Sequence, residues 1–152
     1  MKYYRLHWYW LYFPYLILFG VIVSMACSED TELPGNSVLL QCVQHEQVSM
    51  HTHANFFPVL QGAPQLLPAG IGITEDCMRP LHTHGNDFVI HIESPQDHNF
   101  TIGDFFEVWG DGNPYKGLPV FSISVNGTRY SGPYHNLVLS DGLRVIIDFG
   151  DR

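Results

Sequence analysis

Four side chains in the middle of the chain have the types and the spacing of a metal site. One residue separates His82 from His84, and the same spacing separates His91 from Glu93. Side chains of a β-strand point alternately to opposite faces, so each pair shares one face of its strand. Residues 85–88, between the two pairs, are of types that favour a turn, which predicts a hairpin. Because this loop has an even number of residues, all four side chains should lie on one surface of the hairpin. Three imidazoles and a carboxylate form a plausible ligand set for a divalent transition metal. Imidazole suits copper and zinc among others, and an added carboxylate suits zinc or iron.

A second pair, His51 and His53, lies upstream on a strand-like stretch. The two His-x-His pairs converge only if their strands are neighbours in the sheet and face the same way. The predicted metal ligands are therefore His51, His53, His82, His84, His91 and Glu93. The alternative is that these histidines are solvent-facing strand residues, because His-x-His also occurs where no metal binds.

The sequence predicts no specific reaction. Glu93 has three available roles: a metal ligand, a group that orients a ligand, or a general base. A nucleophile elbow, a phosphate-binding loop and an EF-hand pattern are all missing from the sequence. Catalytic residues, a substrate and an organic cofactor are therefore unassigned, and whether the protein is an enzyme is left open.

Short apolar stretches separated by turns rich in glycine and proline predict a mostly β domain, a small antiparallel sandwich or open barrel. The predicted strands are 38–42, 50–60, 81–84, 89–93, 120–125, 128–130, 137–139 and 143–149, with 65–73 as a broken edge strand. Asn126 and Gly127 predict a tight hairpin turn, and residues 140–142 predict a second hairpin. Residues 101–109 fit either a short helix capped by Thr101 or a strand.

The balance of charge argues against binding of nucleic acid. The chain of 152 residues has a formal net charge of −8, with 7 Lys and Arg against 15 Asp and Glu. Proteins that bind nucleic acid neutralise phosphates with clustered cations, which this sequence lacks. Its acidic character suits cations or a basic partner instead.

Residues 1–27 have the pattern of a membrane segment that exports the rest of the chain. Lys2 and Arg5 precede an uncharged run, 8–27, that is long enough to span a bilayer as a helix. Basic residues stay inside, which predicts that the main domain lies on the extracytoplasmic (periplasmic) side. Three fates of the segment are open: cleavage as a signal peptide, lipidation of Cys27, or retention as a transmembrane anchor. The aromatic residues at the start of this run favour retention.

The domain that follows the membrane segment contains two further cysteines. Residues 28–37 are predicted to form an acidic linker, and 38–152 the extracytoplasmic β domain. Cys42 and Cys77 lie in this domain, and an oxidising compartment favours a disulfide between them. Thiolate ligation of a metal is the alternative, since Cys77 closely precedes His82.

Five short motifs resemble those of a family of small exported or membrane-anchored prokaryotic proteins. In this sequence they are His-Thr-His at 51–53, LPAGIGI at 67–73, CMRPLHTH at 77–84, IHIE at 90–93 and TIGDFFEVWG at 101–110. The family pattern runs HxH, IPAxIGI, LHTHD, IHIE and LGxFFxxWG, and the resemblance covers about half of the chain. It implies the same domain boundary and histidine set but no particular reaction. Gly85 departs from the pattern, because the family has Asp at that position.

Two classes of function follow from these features. The first is a membrane-tethered extracytoplasmic domain with a histidine-rich site for copper or zinc. The alternative is a non-catalytic accessory subunit of a membrane protein complex, docked through its aromatic N-terminal helix. Metal bound in stoichiometric amount would favour the first class, and co-purification with other subunits would favour the second.

Overall fold

The described part of the chain is built mainly from β-strands. The structure is a computed structural model, and it describes residues 38–44 and 47–150. The strands are β1 (Met50–Leu60), β2 (Ala63–Pro64), β3 (Leu81–His82), β4 (Val89–Ser94), β5 (Val120–Val125), β6 (Thr128–Tyr130) and β7 (Arg144–Phe149). The same part of the chain contains one α-helix, α1 (Ile102–Trp109), and the 3₁₀ turns Gly110–Gly112 and Tyr134–Asn136.

The strands form one open mixed sheet with the order β3-β4-β1-β7-β5-β6, and β2 pairs with β1. β1 and β7 run parallel, and the other pairs are antiparallel. The prediction of a mostly β domain is confirmed, but a single mixed sheet replaces the expected antiparallel sandwich or barrel. The long connection from β1 to β7 allows the parallel pair, because such a pair needs a crossover of about a dozen residues or more.

One face of the sheet carries the hydrophobic core. Ala54 and Phe56 of β1 are fully buried on this face, as the alternation of the strand predicts. α1 packs against it, and the ring centroid of Phe105 lies 6.4 Å from that of Phe56. His51 and His53 occupy the alternate positions of β1, so burial of the apolar side chains turns both histidines to the opposite face.

Local signals at two other places lead to the expected structure. Residues 101–109 adopt the helical alternative, because Thr101 and Asp104 form a capping box at the start of α1. The hairpin between β5 and β6 is also confirmed, and its turn residues Asn126 and Gly127 have φ angles of 50° and 80°. Such left-handed angles are what favour Asn-Gly in a two-residue turn.

Two predicted strands are wrong, and a third segment is irregular. Residues 38–42 begin with a turn and form no strand. Residues 137–139 do not form a hairpin with β7, because the N–H of Leu139 donates to the carbonyl oxygen of Phe100 at 2.7 Å. The segment 65–73 is a loop with isolated bridges. Apolar composition alone does not distinguish these segments from strands, since the backbone partners are distant in sequence.

Cys42 and Cys77 form the predicted disulfide, with their Cα atoms 5.0 Å apart. The prediction is confirmed, and the alternative of thiolate ligation is excluded, because a disulfide sulfur is not a thiolate. The N–H of Val43 also donates to the carbonyl oxygen of Met78 at 2.8 Å. The start of the domain is therefore attached to the segment that leads into β3.

The predicted membrane segment 1–27, the linker 28–37 and the lipidation candidate Cys27 lie outside the described residues. Among residues 38–44 and 47–150, no helix is long and apolar enough to cross a membrane. Export and anchoring of the domain therefore stay predictions.

Candidate metal centre

Three histidines lie side by side across three strands. β4 lies between β1 and β3, and its His91 is opposite His53 on one side and His82 on the other. One row further along, Glu93 of β4 lies opposite His51 of β1. Cross-strand partners point to the same face, so all these side chains share one surface. β1 and β3 are not neighbours, so the condition for direct convergence of the two His-x-His pairs is not met. β4 lies between the two strands and places its His91 beside both pairs.

The hairpin of β3 and β4 has the predicted register. Leu81 pairs with Ile92, and His82 pairs with His91. Leu81 and Ile92 are buried in the core, so the imidazoles project from the opposite face. Only a connection with an even number of residues satisfies both faces. β3 ends at His82 and not at the predicted residue 84, so residues 83–88 form this connection, and its number is still even.

The donor atoms divide into two groups that share one histidine. In the inner group, the ligand atoms of four side chains lie within 4.8 Å of one another: His82, His84, His91 and Glu93. In the outer group, His51, His53 and His91 satisfy the same distance. His82 and Glu93 are fully buried, whereas His84 and His51 are exposed. The six predicted ligands thus lie in two overlapping groups, each of which could hold a metal ion, and not in the single group that was expected.

Distances within the inner group are close to those around a tetrahedral ion. Nε2 of His82 is 3.2 Å from Nε2 of His84 and 3.8 Å from Oε1 of Glu93. Metal–nitrogen bonds of about 2.0–2.1 Å place neighbouring ligands of a tetrahedron roughly 3.3 Å apart. Small movements of the side chains would therefore let these three atoms bind one ion.

The backbone orients the imidazole of His82. Its Nδ1 lies 2.9 Å from the carbonyl oxygen of Arg79. Because a carbonyl oxygen only accepts hydrogen bonds, Nδ1 carries the proton and the lone pair lies on Nε2, the atom that faces His84. Metal-binding histidines are typically held in this way through the nitrogen that does not bind the metal.

A glycine-containing loop runs alongside β3 and covers His82. The N–H of Thr83 donates to the carbonyl oxygen of Ile71 at 3.0 Å, and the N–H of Gly70 donates to that of Thr83 at 2.9 Å. Gly72 has a φ of +72°, and a Cβ at this position would lie 3.2 Å from Cβ of His82. Glycine accommodates both the backbone angle and the close approach. This loop explains why His82 is buried although it projects from the face opposite the core.

Burial favours the neutral form of two imidazoles. The pKa of His82 falls from 6.5 to about 4, chiefly because the ring is buried and also because other imidazoles lie nearby. The Arg79 carbonyl and Glu93 oppose this shift. The pKa of His91 is lowered too, again mainly by burial. Neutral imidazole is the form that binds a metal, so both rings have a lone pair available near neutral pH.

Two buried polar groups lie where an ion would satisfy them. Glu93 is fully buried, and its Oε1 lies 3.4 Å from Nε2 of His51. Buried carboxylates are normally paired with positive charge or bound to a metal. Nδ1 of His91 is also buried and has no hydrogen-bond partner among the described residues. A transition-metal ion would supply positive charge to the carboxylate and accept the imidazole lone pair.

Three groups near the site have no clear signal in the sequence. The Arg79 carbonyl belongs to the backbone, which no side-chain pattern reports. Asp87 belongs to the predicted turn, but its carboxylate also partly opposes the lowering of the pKa of His91. This carboxylate lies 2.9 Å from where a Cβ at Gly85 would stand. Asp141 accepts a hydrogen bond of 3.0 Å from the backbone N–H of His53. Only the folded chain brings these groups to the histidines.

Comparison with known proteins adds no assignment. No protein family, curated protein or solved structure matches this chain. The function is therefore inferred from the geometry of the described residues and from the sequence features of the N-terminal segment.

Proposed function

We propose that this protein is a membrane-tethered extracytoplasmic domain that binds copper or zinc. The observation that carries the proposal is the inner group, in which three imidazoles and a buried carboxylate lie within 4.8 Å of one another. Imidazole suits both metals, and carboxylate is a common ligand of zinc. The Arg79 carbonyl prepares His82 for binding, since it leaves the lone pair of Nε2 on the side of the other ligands.

The proposed location is supported by the disulfide and by the N-terminal sequence. Disulfides persist mainly in oxidising compartments, and Cys42 and Cys77 form one. Basic residues before the apolar run 8–27 favour export of the domain, and the aromatic residues at the start of this run favour a retained anchor. Mass spectrometry of the native protein tests the anchor. A chain that includes residues 1–27 would support it, and one that begins at Cys27 or Ser28 would contradict it.

Metal binding is tested by calorimetric titration of the full chain, purified without a polyhistidine tag, with Cu²⁺ and with Zn²⁺. His84→Ala is the informative variant, because His84 is exposed and its removal leaves the core intact. We expect binding to weaken by roughly tenfold or more, as for loss of other groups that support a metal site. His98→Ala is the matched control, since His98 is exposed and belongs to neither group.

A second variant removes charge from the buried part of the same site. Glu93→Gln keeps the size of the side chain and should weaken Zn²⁺ binding more than Cu²⁺ binding, because carboxylate is the harder ligand. Circular dichroism establishes that each variant is folded. Equal affinities of the parent, His84→Ala and Glu93→Gln for both metals would refute the proposed site.

The accessory-subunit function remains a separate proposal. It depends on the aromatic residues of segment 1–27, which lie outside the described part of the chain. Co-purification from native membranes tests it: stable association with other membrane subunits would support it, and a solitary protein would contradict it. The two functions are compatible, because the histidine site and the membrane segment are different parts of the sequence.

A further inference from the structure

His91 stands between the two groups of donor atoms. Its ring centroid is 4.5 Å from that of His84 in the inner group and 4.6 Å from that of His53 in the outer group. Both neighbouring rings are steeply inclined to it, at 75° and 84°. The position follows from the sheet order, since β4 lies between β1, which carries His51 and His53, and β3, which ends at His82. An imidazole ring contains two nitrogens, Nδ1 and Nε2, which point in different directions, so one ring can provide a ligand atom to each group.

Glu93 joins the same two groups from the neighbouring row. Its Oε1 lies 3.8 Å from Nε2 of His82 and 3.4 Å from Nε2 of His51. Within the described residues, however, the six donors do not form one group with all ligand atoms within 4.8 Å; they form the inner and outer groups. One ion therefore reaches one group at a time, whereas two ions would use every donor.

We propose, on the basis of the proposed function, that the protein binds two transition-metal ions side by side, one in each group, with His91 as a bridging ligand. A neutral imidazole has one lone pair, so binding through both nitrogens releases the N–H proton of His91 to solvent. The buried Nδ1 of His91, which lacks a hydrogen-bond partner in the described part of the chain, then becomes a ligand. Glu93 reduces the repulsion between the two cations, because its carboxylate lies between the groups.

The experiment counts bound ions and measures their magnetic coupling. The full chain without a polyhistidine tag is loaded with Cu²⁺, and the number of ions is determined by native mass spectrometry. We expect two ions in the parent and one in the His51→Ala/His53→Ala variant. Neither residue is buried, so the variant should fold. The matched control is His98→Ala/His135→Ala, which removes two exposed histidines outside both groups and should retain two ions.

Electron paramagnetic resonance then tests the bridge. Two Cu²⁺ ions joined by one imidazole couple, so the signal of an isolated ion should be weak in the parent and strong in the His51→Ala/His53→Ala variant. Two ions without coupling would overturn the bridging role of His91. One ion in both proteins would overturn the two-ion centre but leave the proposed function intact. Two ions in both would show that His51 and His53 are not ligands, and absence of binding would remove the proposed function itself.

Discussion

In the metal-free protein, acid should destabilise the fold through His82. The pKa of this residue lies at about 4 in the folded protein, below its ordinary value of 6.5, chiefly because it is buried. Above pH 6.5 the imidazole is neutral in both the folded and unfolded states. Between the two values the unfolded state binds more protons, so the free energy of unfolding falls as the pH falls. The whole difference corresponds to about 3 kcal/mol, at about 1.36 kcal/mol for each pKa unit.

The measurement is urea denaturation in the presence of a chelator, at several pH values from about 7.5 to about 4.5. Trp109 packs against Phe105 of the core, so its fluorescence reports unfolding. Carboxylates also titrate in this range, and a His82→Gln variant, which has no titratable group at this position, separates their contribution. The difference in stability between the parent and this variant should change by about 2.5 kcal/mol in favour of the variant over this range, because pH 4.5 lies about two units below the unfolded pKa.

The acid dependence of stability is controlled with a second histidine variant. His98→Gln removes an exposed histidine and should keep the acid dependence of the parent. If the parent and His82→Gln lose stability in parallel from neutral to acidic pH, the buried imidazole is not responsible for the loss. That result would also contradict the expectation that the imidazole of His82 is neutral and has a lone pair available for a metal.

Three further outcomes are expected. Replacing Cys42 and Cys77 with Ser should lower the free energy of unfolding by about 3–4 kcal/mol in the chain-entropy estimate, measured by urea denaturation, and a loss near zero would contradict it. The same variant should also bind Zn²⁺ more weakly in calorimetry, because the disulfide holds the segment that contains the Arg79 carbonyl. Unchanged affinity would show that this carbonyl keeps its position without the disulfide. Thr101→Ala should cost about 1 kcal/mol of stability, because it removes the N-cap of α1, whereas Thr101→Ser should restore most of it.

The local features of the site follow from short stretches of the sequence. Alternation along β1 placed His51 and His53 on one face, and the even loop between β3 and β4 placed His82 with His91. These relations depend on the two-residue period of a strand and on turn chemistry, both of which act over a few residues. The N-cap at Thr101 was predicted for the helical alternative of residues 101–109, since a cap is formed by residues close in sequence, but the pattern did not distinguish this helix from a strand.

The order of the strands and the burial of the ligands depend on contacts between distant parts of the domain. The insertion of β4 between β1 and β3 makes His91 a member of both groups, and the parallel pairing of β1 with β7 makes the sheet open and mixed. Burial of His82 depends on a loop around Gly72, and its orientation depends on a backbone carbonyl. Each strand can pair with any of several strands that have similar edges, so the pattern of one strand does not predict its neighbour. The burial of a side chain depends on which other segment packs against it, and the pattern of a single stretch does not show this either.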